Sequence, residues 1–314
     1  MKIAVTGANG YIARNLIEYL VNQKVAVVGF VRTGAANSPA VDSTFLQLHE
    51  SDTGLPSRSA LEGCTALIHL AGRAHNFTER ETDKNLLHFS NHQVALHAAA
   101  AAAAARIMRF VQVSTVSVHG NWSQEPVRAD SPIRPLTSYA ATKWAAEEAL
   151  TDYCAERRTQ LCIVRPPLVY GPACPGNFTR LVRLIQSGIP LPFKSVTAAR
   201  SFISVHNLVD FLYQCASGES DYERRVHVIG DGSDWIIPDL IREIAAGLNL
   251  PSRVLSCSPP MLRAAARLIG FGREMDSMTR SLVVDWSSSK ALENGWTPPT
   301  SPADAFANAL QEYR

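Results

Sequence analysis

Short apolar runs alternate with amphipathic stretches along the first half of the chain. Residues 3–6 and 25–31 are almost wholly apolar, as expected for parallel strands that are buried on both faces of a sheet. Between them, residues 11–21 place apolar side chains every three or four positions, which predicts an amphipathic helix. The same reasoning predicts strands at 44–48, 66–70, 110–113 and 160–164, and helices at 83–105 and 138–157. This alternation is typical of an α/β fold with a doubly wound parallel sheet.

The pattern loosens beyond Pro166, where prolines mark loops between shorter elements. We expect helices at 178–186, from 206, at 258–271 and at 302–313, and strands at 200–205 and 226–229. The second of these strands is expected to return to the main sheet. Residues 1–170, with 200–230, then form one domain, and most of 171–314 forms a smaller C-terminal lobe.

The first strand runs into a glycine-rich turn that opens the first helix. Gly7 permits a tight turn there, and Gly10 lets the backbone approach a ligand. The helix N-terminus supplies amide donors and the positive end of the helix dipole. A turn in this strand–turn–helix context favours a pyrophosphate site for a dinucleotide. The residues expected to contact the cofactor here are Gly7, Asn9, Gly10, Tyr11 and Ile12.

Tyr139 and Lys143 are four residues apart on a predicted helix and therefore share one face. A free tyrosine has a pKa of about 10 and is a poor base at neutral pH. A neighbouring ammonium favours the phenolate and lowers that pKa. Together with the glycine turn, the pair predicts hydride transfer with a tyrosine that handles the proton. On the same helix Ser138 is the expected N-cap, and Glu147 and Glu148 are expected on the outer side.

Composition narrows the class of partner. The 314 residues carry a formal charge of only +2, which creates no strong field for nucleic acid or an anionic membrane. We find neither a signal peptide nor an apolar run of the roughly 18–20 residues that would span a bilayer, so a cytoplasmic protein is expected. The six cysteines form no CxxC pair and are expected to be reduced thiols. His88 and His92 lack a third ligand at suitable spacing, so no metal is expected.

The residue that ends the second strand bears on the choice of cofactor. An acid there accepts hydrogen bonds from the ribose of NAD, whereas an arginine accommodates the 2′-phosphate of NADP. This strand ends in Arg32 and has no acid. The sequence therefore favours NADP(H), with NAD(H) still open.

These features follow one another in the order of a known family. The further segments are His69-Leu70-Ala71-Gly72, Asn91, Ser114-Thr115, Arg165-Pro166-Pro167-Leu168-Val169-Tyr170-Gly171-Pro172 and Gly295-Trp296-Thr297-Pro298. In this order they resemble an extended short-chain dehydrogenase/reductase of the NAD-dependent epimerase/dehydratase family. The resemblance covers nearly the whole chain and implies a dinucleotide-binding Rossmann domain with a C-terminal substrate-binding lobe.

The resemblance also implies roles for individual positions. Thr115 matches the residue that hydrogen-bonds the reacting oxygen, with Ser114 beside it to assist. Tyr139 matches the proton donor or acceptor, and Lys143 the lysine that binds the nicotinamide ribose and lowers the tyrosine pKa. Further cofactor contacts are implied at Asp52, Leu70, Ala71, Gly72 and Pro166, and substrate contacts at His75, Asn177, Arg200 and Arg280.

The two residues after Thr115 narrow the reaction within the family. The 4,6-dehydratases carry an Asp-Glu pair there, whereas this chain has Val116 and Ser117, so dehydration is rejected. The favoured expectation is a 4-reductase of a UDP-4-keto-6-deoxy-N-acetylhexosamine for O-antigen or capsule synthesis, which Arg32 supports. The alternative is a UDP-glucose or UDP-N-acetylglucosamine 4-epimerase, and a dinucleotide-sensing binding protein is the non-enzymatic alternative. The resemblance further implies a UDP-sugar ligand and a homodimer.

Overall fold

A seven-stranded parallel sheet forms the centre of the molecule. The computed structural model describes residues 1–34, 44–74, 81–157, 159–218, 224–268, 270, 272–286 and 296–313. Its strands are β1 (Lys2–Thr6), β2 (Ala26–Arg32), β3 (Leu46–Ser51), β4 (Ala66–His69), β5 (Arg109–Val113), β6 (Gln160–Arg165), β7 (Leu168–Tyr170), β8 (Ala199–Ser204), β9 (Arg224–Val228) and β10 (Asp234–Ile236). The large sheet has the order β3-β2-β1-β4-β5-β6-β9, and each neighbouring pair in it is parallel.

Helices cover both faces of this sheet. They are α1 (Tyr11–Asn22), α2 (Glu81–His88), α3 (Val94–Ala104), α4 (Ser138–Ala155), α5 (Asn177–Gln186), α6 (Val205–Ser217), α7 (Ile237–Gly247), α8 (Pro259–Leu268), α9 (Gly272–Thr279) and α10 (Pro302–Leu310). The first apolar cluster joins the sheet to α1 and α6, and a second joins its other face to α3 and α4. Strand β9 lies beside β6. The predicted doubly wound α/β fold is confirmed.

A second, three-stranded sheet of the order β10-β8-β7 carries its own apolar cluster. At its centre Tyr170 stacks on Phe306, with ring centroids 4.5 Å apart, and also contacts Phe178. These rings come from β7, α10 and α5, so the cluster fixes α5 against the end of the chain.

Residues 81–104 are continuously helical, as predicted for 83–105, with a π-helical turn at Phe89–Gln93 between α2 and α3. Two local predictions on α4 are wrong. The N-cap of α4 is Thr137, whose side chain accepts a hydrogen bond from the Ala140 amide, rather than Ser138. Glu147 is fully buried instead of lying on the outer side, because its partners come from strands that are distant in sequence. Glu148 is exposed as expected.

Candidate active site

The glycine turn meets the end of β4 at the point where the strand order reverses. Gly7 has φ +67°, and a Cβ built on it would lie 2.8 Å from both the Cα and the amide nitrogen of Ala71. A side chain at Gly7 would therefore be strained by its backbone and would collide with a second backbone. Strands β2 and β4 flank β1 on opposite sides, which makes this the switch point where open α/β sheets bind ligands.

The N-terminus of α1 is suited to bind an anion. Its N-cap is Gly10, which has no side chain to cap the amides of the first turn. A Cβ on Gly10 would lie 3.1 Å from the Gly7 carbonyl oxygen, and the absence of that atom keeps the turn compact. Tyr11, next along the helix, packs with its hydroxyl 2.6 Å from where a Cβ on Gly171 would lie. A crevice lined by bare backbone and first-turn amides fits a dinucleotide pyrophosphate.

The ends of β2 and β3 lie side by side farther along the same edge. Arg32 pairs in register with Ser51, the residue before Asp52. Both Arg32 and Asp52 are exposed. Gly54, at φ +66°, leaves room for the Arg32 stem, because a Cβ there would lie 2.8 Å from Arg32 Cγ. The arginine and the acid therefore both border the region where the adenosine half of a dinucleotide would lie.

Lys143 is buried between the end of β5 and the segment that follows β4. Its ammonium donates to the Val113 carbonyl at 3.0 Å, and it lies 3.5 Å from where a Cβ on Gly72 would be. Burial lowers the pKa of Lys143 to about 8, and the negative charge of Glu147 opposes that shift. The lysine therefore titrates within reach of physiological pH, and its charge depends on its neighbours.

Tyr139 and Thr115 complete the expected catalytic set. Tyr139 is in the first turn of α4, one turn before Lys143. Burial raises the pKa of Tyr139 to about 12, so the phenol needs a positive charge beside it to act as a base. The Thr115 Oγ1 accepts a hydrogen bond from the Ser117 amide at 3.2 Å. Its own proton therefore remains available to a substrate oxygen.

Asn91 fastens the segment after β4 to the catalytic helix. Its Oδ1 accepts from the Arg73 amide at 2.8 Å, and its Nδ2 donates to the Arg73 carbonyl and to Thr142 Oγ1, both at 3.1 Å. Asn91 lies in the π-helical turn, a feature that often marks functional sites. A Cβ on Gly72 would lie 2.8 Å from Asn91 Oδ1, so this fastening requires glycine. The contact fixes Gly72 and Arg73 against α4, while Ala71 lies against Gly7.

The hydroxyl of Ser114, the residue expected to assist Thr115, is hydrogen-bonded within the protein. It donates to Glu147 Oε1 on α4 and is buried there. Arg165 Nη2 donates to Glu147 Oε2 at 2.5 Å, and its Nε lies 3.1 Å from each carboxylate oxygen. Sequence reasoning missed this network, because its members Ser114 and Arg165 are far from Glu147 along the chain. Pro166, an expected cofactor contact, follows Arg165 and accepts from the Val116 amide at 2.9 Å.

His119 extends the network and is not placed for proton transfer. Its Nε2 lies 2.9 Å from Arg165 Nη1, and its Nδ1 lies 3.2 Å from the Pro132 carbonyl oxygen. Because arginine can only donate, Nε2 accepts and Nδ1 donates. Burial and the Arg165 charge lower the pKa of His119, which keeps it neutral.

Of the expected substrate contacts, Arg200 lies on β8 and Arg280 directly follows α9. Arg200 on β8 donates through Nη1 to the carbonyl oxygens of Asn121, Ser277 and Arg280. Burial lowers the pKa of Arg200 to about 10, so it stays charged at neutral pH. Arg280 is partly exposed. Its Cζ lies 4.6 Å from the centroid of the Trp122 ring, and its Nε lies 3.8 Å from Asp276 Oδ1.

Asn177 is exposed at the first position of α5, where Gly176 supplies no capping side chain. Arg200 and Arg280 therefore meet through a backbone contact, while Asn177 belongs to a separate element. His75 lies outside the described residues.

Two further observations concern only the part of the chain that the structure describes. None of its helices combines the length and apolar character needed to cross a membrane. No three His, Cys, Asp or Glu side chains come together there as a metal site.

The fold and the ordered segments place this chain among nicotinamide-dependent enzymes of the 4-reductase or 4-epimerase kind, as expected. Residues 3–230 match the model of the NAD dependent epimerase/dehydratase family, and the chain belongs to that family.

Individual relatives extend over the full chain. A UDP-glucose 4-epimerase from Vibrio cholerae is 28% identical, over 99% of this chain and 95% of the relative. A ceramide reductase from Caulobacter vibrioides is 25% identical, over 99% of this chain and 94% of the relative. The solved UDP-glucuronic acid 4-epimerase from Bacillus cereus in complex with NAD matches with a TM-score of 0.80 at 21% identity, over 99% of this chain and 98% of that one. That last likeness shows a shared fold.

Proposed function

We propose that this protein is an NAD-dependent 4-epimerase of a UDP-hexose. The observation that carries the proposal is the full-length similarity to a UDP-glucose 4-epimerase in a chain that has Thr115, Tyr139 and Lys143 and no acid pair after Thr115. The sequence alone favoured a 4-reductase, and the comparisons support the epimerase better. They also favour NAD over the expected NADP.

The side chains of the cleft supply the proton chemistry of such a reaction. Tyr139 takes the proton from the C4 hydroxyl, Thr115 donates a hydrogen bond to the same oxygen, and Tyr139 later returns the proton. Lys143 holds the positive charge that makes the phenolate accessible. A bound nicotinamide would accept the hydride from C4 and return it to the other face of the transient 4-keto sugar.

Arg200 and Arg280, on β8 and directly after α9, would hold the diphosphate. Arginine suits this role because its planar fork binds phosphate oxygens at two points. Arg200 Nη1 donates to backbone carbonyls, which fixes the orientation of the guanidinium. Its remaining N–H donors are then available to a ligand. Arg280, partly exposed, is the more accessible of the two. Anchoring at the diphosphate would position C4 against the nicotinamide.

The proposal is tested with purified protein, no added reductant, and UDP-glucose and UDP-N-acetylglucosamine in separate reactions. We expect interconversion of one or both with their C4 epimers, while NAD released on denaturation stays stoichiometric with the protein. Absence of epimerisation, with NADPH consumed one-for-one by a UDP-4-keto-6-deoxy-N-acetylhexosamine, would contradict it.

That second outcome is the remaining candidate, a 4-reductase, and one observation favours it. Arg32 is exposed at the end of β2, and that strand carries no acid. Net reduction draws on NADPH, whose 2′-phosphate an arginine at this position accommodates. The ratio of NADPH to NADH dissociation constants, measured in the wild type and in Arg32→Ala, distinguishes the two.

A homodimer is proposed on the same footing. Leu86 and Phe89, on α2 and the π-helical turn, are 39% and 49% exposed, and the π-helical turn packs against α4. A second copy packed along these helices would cover both side chains. Light scattering should give a dimer mass, and Leu86→Glu with Phe89→Glu should shift it toward the monomer.

A further inference from the structure

The buried carboxylate of Glu147 lies at the junction of the elements that carry the expected catalytic residues. It is on α4 one turn after Lys143, which is itself one turn after Tyr139, so the three share a helix face. Its exposed fraction is 0%, and that of Arg165 is 2%. Buried charges are costly unless they are paired and hydrogen-bonded, so this arrangement calls for a specific explanation.

The partners of Glu147 connect it to both strands beside the site. Ser114, the residue before Thr115, donates to Oε1. Arg165, the residue before Pro166, contacts both oxygens from β6. One carboxylate therefore joins the ends of β5 and β6 to α4. Any loosening of this contact would move Thr115 relative to Tyr139.

Few groups other than Glu147 stabilise the charged form of Lys143. The groups that face it are the Val113 carbonyl at 3.0 Å and His69 on β4. Burial and the Lys143 charge lower the pKa of His69 to about 3, so His69 is neutral at physiological pH. The groups that face Glu147 are Arg165 and Ser114, and His119 beyond Arg165 is neutral as well. Glu147 is therefore the negative charge that acts on Lys143.

We propose that Glu147 is a positioning residue that keeps Lys143 charged and holds Thr115 against the catalytic helix. The proposal rests on the proposed use of Tyr139 as the proton acceptor. Removing the carboxylate leaves Lys143 in a dry site with no opposing charge, and leaves Arg165 buried and unpaired nearby. Both changes favour neutral lysine, and without the ammonium the phenolate of Tyr139 forms only at higher pH.

The test reads the phenolate directly and does not require turnover. The pH dependence of tyrosinate absorbance is measured on the NAD-bound protein, as the difference between each protein and its Tyr139→Phe counterpart. Glu147→Gln should raise the midpoint by about one pH unit or more, the usual scale for loss of a nearby opposite charge. Glu148→Gln changes an exposed neighbour and should leave the midpoint unchanged. Glu147→Asp keeps a carboxylate and should have a midpoint close to that of the wild type. A wild-type midpoint in folded Glu147→Gln would overturn the proposal.

A second variant addresses the possibility that Glu147→Gln fails to fold because Arg165 is left buried without a partner. Glu147→Gln with Arg165→Gln removes both charges, so no buried charge is left unpaired, and the midpoint should rise by less than in Glu147→Gln alone because Arg165 no longer opposes the ammonium of Lys143. If epimerase activity is found, the acidic limb of kcat/KM should move in the same direction while KM stays near the wild-type value. A purely structural role would lower kcat without moving that limb. A shifted midpoint in a protein without epimerase activity would support Glu147 and reject only the proposed reaction.

Discussion

The proposed dinucleotide side and the proposed substrate side of the site are built from different kinds of contact. On the dinucleotide side the geometry depends on atoms that are absent, since Gly7 and Gly72 each leave space that a Cβ would take from a neighbour. On the substrate side it depends on long charged side chains, Arg200 and Arg280, held by carbonyls, a ring and Asp276. The first side should tolerate almost no added atom. The second should respond in proportion to the charge that is removed.

The largest expected effect lies where the two sides meet. Tyr139→Phe should reduce turnover by roughly 10²–10⁴-fold, the usual scale for a lost general acid or base, while thermal stability stays near the wild-type value. Steady-state epimerisation rates check this. Tyr153→Phe, on the same helix, is the matched control and should keep full activity. Wild-type turnover in Tyr139→Phe would remove the tyrosine from the mechanism.

The pH dependence of stability reports how completely His69 is shielded from water. Its pKa in the folded protein is lowered to about 3 by burial and by Lys143, whereas an unfolded histidine titrates near 6.5. Between pH 6.5 and pH 3, His69 is therefore protonated in the unfolded chain and neutral in the folded protein. Stability from this source is complete above pH 6.5 and falls as the pH drops toward 3, by roughly 2–3 kcal/mol at pH 4.5.

Urea unfolding between pH 7 and pH 4.5 checks this prediction. His69→Asn should lose less stability than the wild type over that range. His97→Asn, at an exposed position on α3, should follow the wild type. An identical pH dependence in all three proteins would show that the His69 site is wetter than the contacts indicate.

Gly7→Ala tests the dependence on absent atoms. The new methyl group would meet Ala71 backbone atoms at 2.8 Å, so NAD binding should weaken by at least about tenfold, or 1.4 kcal/mol. Gly63→Ala is the matched control, because Gly63 also has a positive φ, +75°, but no heavy atom lies within 4 Å of its Cβ position. It should lose about 1 kcal/mol of stability from backbone strain and bind NAD normally. Equal NAD binding by the two variants would contradict the crevice as described.

The two arginines divide the substrate side into a fixed and an accessible part. Arg280→Met should weaken UDP binding by about tenfold, the loss of a hydrogen bond to a charged group, with little change in thermal stability. Arg200→Met should weaken UDP binding and also lower stability, because three carbonyl oxygens lose their donor. Calorimetry with UDP and thermal melts separate the two effects. Unchanged UDP affinity in both variants would place the diphosphate elsewhere.

The smallest effect is expected at Arg32. For an NAD-dependent epimerase, Arg32→Ala should change NADH affinity by less than about fivefold, as for other exposed charges. Fluorescence titration with NADH and NADPH checks this. A strong wild-type preference for NADPH that disappears in Arg32→Ala would instead support the reductase.

Features encoded by local sequence could be predicted, and features made by distant partners could not. The turn from Gly7 to Gly10 and the pair Tyr139 and Lys143 follow from spacing on one element, and the structure shows the elements that were predicted to carry them. Glu147 was placed on the outer side of α4 because neighbouring residues in sequence say nothing of Arg165 and Ser114. The π-helical turn around Asn91 escaped for a similar reason, since its contacts are with Arg73 and Thr142. The short strands β7 and β10 and helix α9 lie where local signals are weakest. Helix α7 was missed even though Leu240, Ile241 and Ile244 have the spacing of one apolar helix face.

The measurement that tests the central claim most directly is proton NMR of a UDP-hexose incubated in D₂O with the purified protein and no added cofactor or reductant. The account predicts a mixture of the two C4 epimers in which the C4 position keeps its own hydrogen, because the hydride that leaves C4 returns to it. Deuterium at C4, or an unchanged sugar from a protein that instead reduces a 4-keto sugar with added NADPH, would contradict the assignment as a 4-epimerase.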